Sequence, residues 1–153
     1  MTQTLATHDR IKLYKTSPEL YDAMMTLSSA AATDVDPELG ELIKIRASQI
    51  NHCAFCLDMH TRDARKLGVD EQKLDVLAAW AEAGDLFSER ERAALALTEA
   101  VTVLGDHGVP EDVYQRAAAV FTERELGQVT AMAVVINAWN RINAVARSLP
   151  ARR

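Results

Sequence analysis

Composition, hydrophobic periodicity and the punctuation by glycine and proline together point to a compact, multi-helix, all-α protein. Aromatic residues make up only 5% of the 153-residue chain while alanine and leucine are abundant, a balance that favours helices over strands. Apolar residues recur at spacings of three and four, and no stretch alternates strand with helix, which argues against a Rossmann or thioredoxin sheet. Six glycines and four prolines are sparse and fall at punctuation points, and no glycine-rich phosphate loop occurs.

Six or seven helices follow. The first spans about residues 18–31, with Ser17 as N-cap, Pro18 at N1 and an apolar stripe of Leu20, Met24, Leu27 and Ala31. The second starts after Asp36, with Leu39, Leu42, Ile43, Ile45 and Ile50 as its apolar side. The third begins near Asn51 or His52 and ends at Gly68, with Arg62, Arg65 and Lys66 in its last turns to suit the helix dipole. A fourth starts at Asp70 and carries Leu74, Leu77 and Trp80. The fifth opens on Ser88 with Glu91, a capping box, and ends near Gly105; a sixth starts at Pro110. The last opens on Thr122 with Glu125, a second capping box, and runs towards Leu149. Phe121 before that cap can staple onto Leu126, whereas the position matching it after Phe87 is Arg92.

The length suits one domain over residues 1–153, large enough to bury a core without disulfides. Seventeen basic against 22 acidic side chains give a formal charge of −5, which disfavours nucleic-acid binding. Arg147, Arg152 and Arg153 read as a solvated basic tail. The start lacks the basic and apolar regions of a secretory signal, and no apolar run approaches the ~20 residues that span a bilayer, so a soluble, cytoplasmic protein is expected. The apolar run over residues 129–138 reads as a buried helix, apolar on most faces and suited to burial against another subunit.

Chemistry concentrates between Glu41 and His60. Cys53, Cys56 and His60 lie at i, i+3 and i+7 and share one face if the segment is helical. Helical neighbours three apart hold their Cβ atoms about 5–6 Å apart. A disulfide needs about 3.8 Å, so a modest distortion, easiest in a first turn, must close the gap. A free thiol, with a pKa of about 8.5, is mostly protonated at neutral pH; a helix N-terminus and a neighbouring base favour the thiolate. His60, one turn past Cys56, can take its proton directly or through a water. A base needs an orienting partner on its other ring nitrogen, and Glu41, in an apolar neighbourhood where an unpaired carboxylate is unfavourable, is the candidate. Two cysteines three apart in a chain expected in the cytosol suggest redox chemistry or a metal rather than a structural disulfide. A structural zinc site wants four protein ligands, and His52, His8 and His107 supply no convincing fourth; no metal or flavin is required.

At these residues the sequence resembles the AhpD-like (alkylhydroperoxidase/carboxymuconolactone decarboxylase) family. The pattern of a Glu, an Arg-x-Ser, an Asn and Cys-x-x-Cys-x-x-x-His is carried here by Glu41, Arg46, Ser48, Asn51, Cys53, Cys56 and His60, in register over about residues 35–105. The stretch containing Asn137, Trp139, Asn140 and Arg141 is similar to the C-terminal half of small members. The resemblance implies an all-α fold with the cysteine pair at the start of a central helix, and a homo-oligomer, often a trimer or hexamer. It implies peroxidase activity restored by an external dithiol such as a lipoyl group, with no bound cofactor. By the same carry-over Cys56 is the peroxidatic thiol, Cys53 the resolving thiol, and His60 and Glu41 the proton relay. Phe55 stands where family peroxidases can carry a second histidine between the cysteines.

Several assignments stay open. Glu41 and His60 could serve as the acid–base pair of a decarboxylase-like enzyme acting on a small acid, although branches of that kind typically lack the cysteines. A helical metal-binding or regulatory module is the other alternative. Arg46 and Ser48 read as inter-helix or inter-subunit hydrogen-bonding groups, or as a polar wall of the pocket. Trp80 and Trp139 read as core or interface residues in preference to substrate platforms, and Asn137, Asn140 and Arg141 as a group near the site or at a subunit contact.

Overall fold

A computed structural model describes residues 10–153, so that His8 lies outside the described residues. Among the described residues eight α-helices form in chain order: α1 (Leu13–Thr16), α2 (Pro18–Ala32), α3 (Pro37–Ile50), α4 (Ala54–Leu67), α5 (Glu71–Val76), α6 (Glu89–Thr102), α7 (Glu111–Val120) and α8 (Glu123–Ala146). Two 3-10 segments, Leu77–Glu82 and Gly84–Leu86, link α5 to α6. Among the described residues there is no strand, only an isolated bridge between Gly105 and Gly108. The described residues form an all-α fold, and none of these helices is long and apolar enough to cross a membrane.

Local chemistry explains most helix ends. Asp36 accepts from the Leu39 amide and Asp70 from the Gln72 amide. Ser88 with Glu91 and Thr122 with Glu125 both close reciprocal capping boxes. Gly68 ends α4 in the left-handed region at φ 90°, donating to the Ala64 and Arg65 carbonyls. Ser17 does stand before α2, but its side chain makes no capping bond. Its backbone, at φ −149° and ψ 67°, continues from the short helix α1, which the periodicity does not announce.

Helix α3 is the most enclosed element and supplies all three parts of the core. Leu39 and Ile43 pack with Leu97, Phe121, Leu126 and Val129 towards α6, α7 and α8. Leu42 and Ile45 pack with Leu74, Leu77, Trp80, Phe87 and Leu95. Ala47 closes a small third cluster with Cys53, Cys56 and Ile136. Phe121 and Leu126 share one cluster, as a staple requires, while Phe87 is fully buried and Arg92 turns its guanidinium over the Trp80 ring at 5.4 Å.

Two expectations are corrected here. Of the apolar stripe on α2 only Ala31 is buried; Leu20 and Leu27 are 55% and 47% exposed. The helix meets α8 along one side and the short α1 near its start, which leaves Leu20 and Leu27 largely exposed. Conversely, residues 129–138 of α8 are buried within this chain, by α2, α3 and α6, with Val134 alone among the large side chains there left half exposed. The intramolecular packing accounts for that run without a second subunit.

Candidate active site

The helix that carries the cysteine pair starts later than the spacing predicts, and the delay shapes the site. Asn51 closes α3, and His52 adopts the left-handed conformation at φ 54°. The His52 and Cys53 amides donate back to the Gln49 and Ser48 carbonyls in a Schellman-type ending. Cys53 is thus extended, φ −90° and ψ 93°, and caps α4, while Cys56 lies in the first turn. Departing from helical geometry at Cys53 supplies the distortion that the spacing demands. Both cysteines are free, and their sulfurs lie 2.8 Å apart.

One turn on, His60 is buried, and its Nδ1 lies 2.9 Å from Glu41 Oε2. Burial works to raise the Glu41 carboxyl, but hydrogen bonds from His60 and Lys44, with the Lys44 charge, outweigh it and hold the carboxyl below its ordinary value. An ionised Glu41 can only accept, so His60 Nδ1–H donates and Nε2 is left as the working nitrogen. Lys44, three residues from Glu41 on α3 and in contact with its Oε1, is a member of the site that no sequence motif singles out.

The two sulfurs are close enough for one proton to be held between them. The Cys53 thiol is pushed down to about 6, chiefly by the hydrogen bond from Cys56, against burial and with help from the Cys56 and Phe55 amides at the start of α4. The Cys56 thiol is pushed up, because it donates to Cys53, is buried and faces that charge. Titrating the reduced protein by ultraviolet thiolate absorbance should therefore reveal one thiolate per chain with a midpoint of about 6 and no second through the ordinary thiol range. Two thiolates rising together near the free value of about 8.5 would refute the shared proton. The stability of the reduced form has a definite sign as well. The lowered Cys53 value stabilises fully above the unfolded thiol value, and the gain is lost as pH falls through about 6. The raised Cys56 value acts only above the unfolded thiol value, where it lowers stability as pH rises.

Asparagines of α8 back the sulfurs. Asn143 donates to Cys56 Sγ at 3.5 Å, and the Asn140 amide favours both thiolates. Asn140 also donates to Ser48 Oγ, and Asn51 donates to Asn137 and Asn140 at 2.8 and 2.9 Å. Arg141 completes the group by donating to the Asn137 side chain. The polar cluster of α8 thus stands beside the thiols and is satisfied within one chain. Asn143 lies outside the residues that the motif marks; its spacing of three beyond Asn140 is the one sequence signal that places it on the same side of α8. Arg46 donates to Glu99 at 2.7 Å and Ser48 Oγ accepts from Asn140, so both serve as inter-element hydrogen-bonding groups, while Ser48 itself donates to the Lys44 carbonyl within α3.

A cavity of about 560 Å³ opens onto Cys56 and His60. Its walls are largely apolar: Tyr21, Met25, Phe55, Met59, Ile136 and Trp139 contribute. Trp139, expected as core or interface, is a cavity wall, edge-on to Tyr21 at 5.4 Å with Nε1 donating to Ser28 Oγ. Trp80 is a core residue, its Nε1 donating to Glu99. His52 and His107 are exposed and do not line the cavity. The basic tail is partly engaged: Arg147 lines the cavity and Arg153 pairs with Asp58. Glu41, His60 and Asp63 offer donor atoms within 4.8 Å of one another, a spacing that suits a cation. Lys44 and Lys66 already pair with the two carboxylates, and neither sulfur belongs to that group.

An all-α fold with a buried dithiol beside a glutamate–histidine pair defines a class, and the comparisons agree with it. The carboxymuconolactone decarboxylase family profile matches residues 18–100. The chain belongs to this family, in its AhpD-like form. It is 40% identical over 135 residues to YdfG of Bacillus subtilis (strain 168), an uncharacterized protein, covering 88% of this chain and 91% of that one. It is 31% identical to the uncharacterized YnjA of Escherichia coli (strain K12), covering 77% of this chain but only 63% of YnjA. A crystal structure from Agrobacterium tumefaciens, Atu0492, of unknown function but suggested to be the antioxidant defence protein AhpD, superposes with a TM-score of 0.88. That match has 36% identity and covers 94% of this chain and 99% of the other. The debrominase Bmp8, solved with 2,3,4-tribromopyrrole, shares the fold at a TM-score of 0.78 and 22% identity, over 88% of this chain and 72% of its own.

Proposed function

We propose that this protein is a thiol-dependent reductase of organic hydroperoxides with an antioxidant role, with Cys56 as the peroxidatic and Cys53 as the resolving thiol. The observation that carries the reading is the 2.8 Å contact between two free sulfurs, one of which lines a cavity together with a glutamate-held imidazole.

At neutral pH the pair holds one proton. Passing it across the sulfur contact to Cys53 leaves Cys56 as the thiolate that faces the cavity, steadied by the Asn143 amide. The Cys56 sulfur bonds to the outer oxygen of the hydroperoxide and the O–O bond breaks. The alkoxide leaves as an alcohol, taking a proton delivered through His60 Nε2 and replaced from solvent. The sulfur is oxidised to a sulfenic acid while the peroxide is reduced. The Cys53 thiol then attacks that sulfur, its proton leaves with the sulfenic oxygen as water, and a disulfide results. An external dithiol, of which a protein-bound lipoyl group is one example, returns two electrons and two protons by exchange, becoming a disulfide itself. The exposed apolar stripe on α2 supports a homo-oligomer as the working form.

The test is to mix reduced protein with cumene hydroperoxide, count free thiols and follow alcohol formation. Wild type is expected to lose two thiols per alcohol formed, and Cys56→Ser to consume no peroxide. Turnover of the peroxide by Cys56→Ser at the wild-type rate sinks the assignment.

A further inference from the structure

Titratable groups around the large cavity are distributed unevenly. Lys12, Lys44 and Arg147 line it, and among the described residues no carboxylate does. The chain as a whole carries an excess of acid, −5, so a carboxylate-free cavity with three cations is against the average of the surface. Lys44 is committed to Glu41. Lys12 and Arg147 are exposed and form no ion pair among the described residues, while Cys56 and His60 are buried. The cavity therefore runs from a cationic mouth, along apolar walls, to the thiol.

Arg147 carries a second signal. It ends α8 in the left-handed conformation, φ 49° and ψ 49°, a place where glycine or asparagine is the usual choice. The α8 carboxyl end does not need its guanidinium: the Arg147 and Ser148 amides already donate to the Ala144 and Asn143 carbonyls. A long cation retained in a strained conformation at a cavity mouth is a feature of ligand clamps.

Size points the same way. Hydrogen peroxide is little larger than water, whose share of liquid volume is about 30 Å³, so it would leave most of the 560 Å³ unfilled. An apolar chain or ring fills such walls, and a carboxylate head would meet Arg147 in bidentate geometry.

Resting on the peroxidase reading above, we infer that the substrate class is the anionic amphiphilic hydroperoxide: an apolar body bearing a carboxylate, anchored by Arg147 and Lys12 with its peroxide group delivered to Cys56. The chemistry at sulfur is unchanged; the carboxylate takes no part in electron transfer.

The experiment compares linoleic acid hydroperoxide with its methyl ester, both below their micelle concentrations, and cumene hydroperoxide as a neutral reference. In wild type the acid is expected to exceed the ester in kcat/KM by about tenfold, the worth of one charge-assisted contact. The ratio should fall towards one with added salt and in Arg147→Gln, and below one in Arg147→Glu; Lys12→Gln gives an independent reading if the Arg147 variants misfold. A wild-type ratio of one or less, with cumene hydroperoxide still reduced, overturns the anionic substrate and leaves the peroxidase standing. If none of the three compounds oxidises the thiols, the peroxidase reading falls and the substrate class with it.

Discussion

Replacing His60 by alanine is expected to slow sulfenic-acid formation at Cys56 by roughly 10²–10⁴-fold, the usual worth of a positioned acid–base group. The imidazole is buried, tied at Nδ1 to Glu41, and lines the same cavity as Cys56, so it is placed to give the departing alkoxide its proton. Glu41→Gln keeps the shape but removes the charge that orients the ring, and a loss of about 10–100-fold is expected there, as for other partners that hold a working histidine. Stopped-flow oxidation by cumene hydroperoxide across pH measures both. A proton-transfer role predicts that added imidazole restores part of the His60→Ala rate, which a merely structural role would not allow. Wild-type rates in His60→Ala would remove the relay from the mechanism.

The largest effect on stability is expected for Phe87→Ala, at about 3–5 kcal/mol. Phe87 is 2% exposed and joins Leu42, Leu77, Trp80 and Leu95 in one cluster, where α3, the 3-10 link and α6 meet. Truncation leaves a hole that these residues, drawn from three elements, cannot close together. Against a typical total of about 5–15 kcal/mol, the loss should show as a large fall in the urea midpoint with little change in slope. A cost below about 1 kcal/mol, ordinary for surface positions, would mean that this corner of the core is not packed as described.

Features set within a few residues of one another are legible in the sequence alone. Capping boxes at Ser88 and Thr122 are four-residue devices, and the structure has both. The Cys53, Cys56 and His60 spacing is likewise local, and the two sulfurs it predicts can meet do meet. Sequence and structure part where a pattern must be told which way to face. The periodic stripe of α2 is genuine as a pattern, yet Leu20 and Leu27 point outward because only one side of α2 meets α8. The run over residues 129–138 is buried as its composition predicts, but what buries it lies in the same chain. At the cysteine pair the spacing demands a distortion without placing it. Its location at Cys53, after a left-handed His52, depends on how α3 ends.

Helix positions, the dithiol and the candidate base follow from interactions spanning a turn or two, for which backbone geometry fixes who can touch whom. The partners that tune them do not. Glu41 reaches His60 from 19 residues away, Asn143 reaches Cys56 from 87, and Arg147 comes to the same cavity from the far end of α8. Such meetings depend on how α3, α4 and α8 cross, and crossing is settled by the packing of whole helix faces, which no short window of residues encodes.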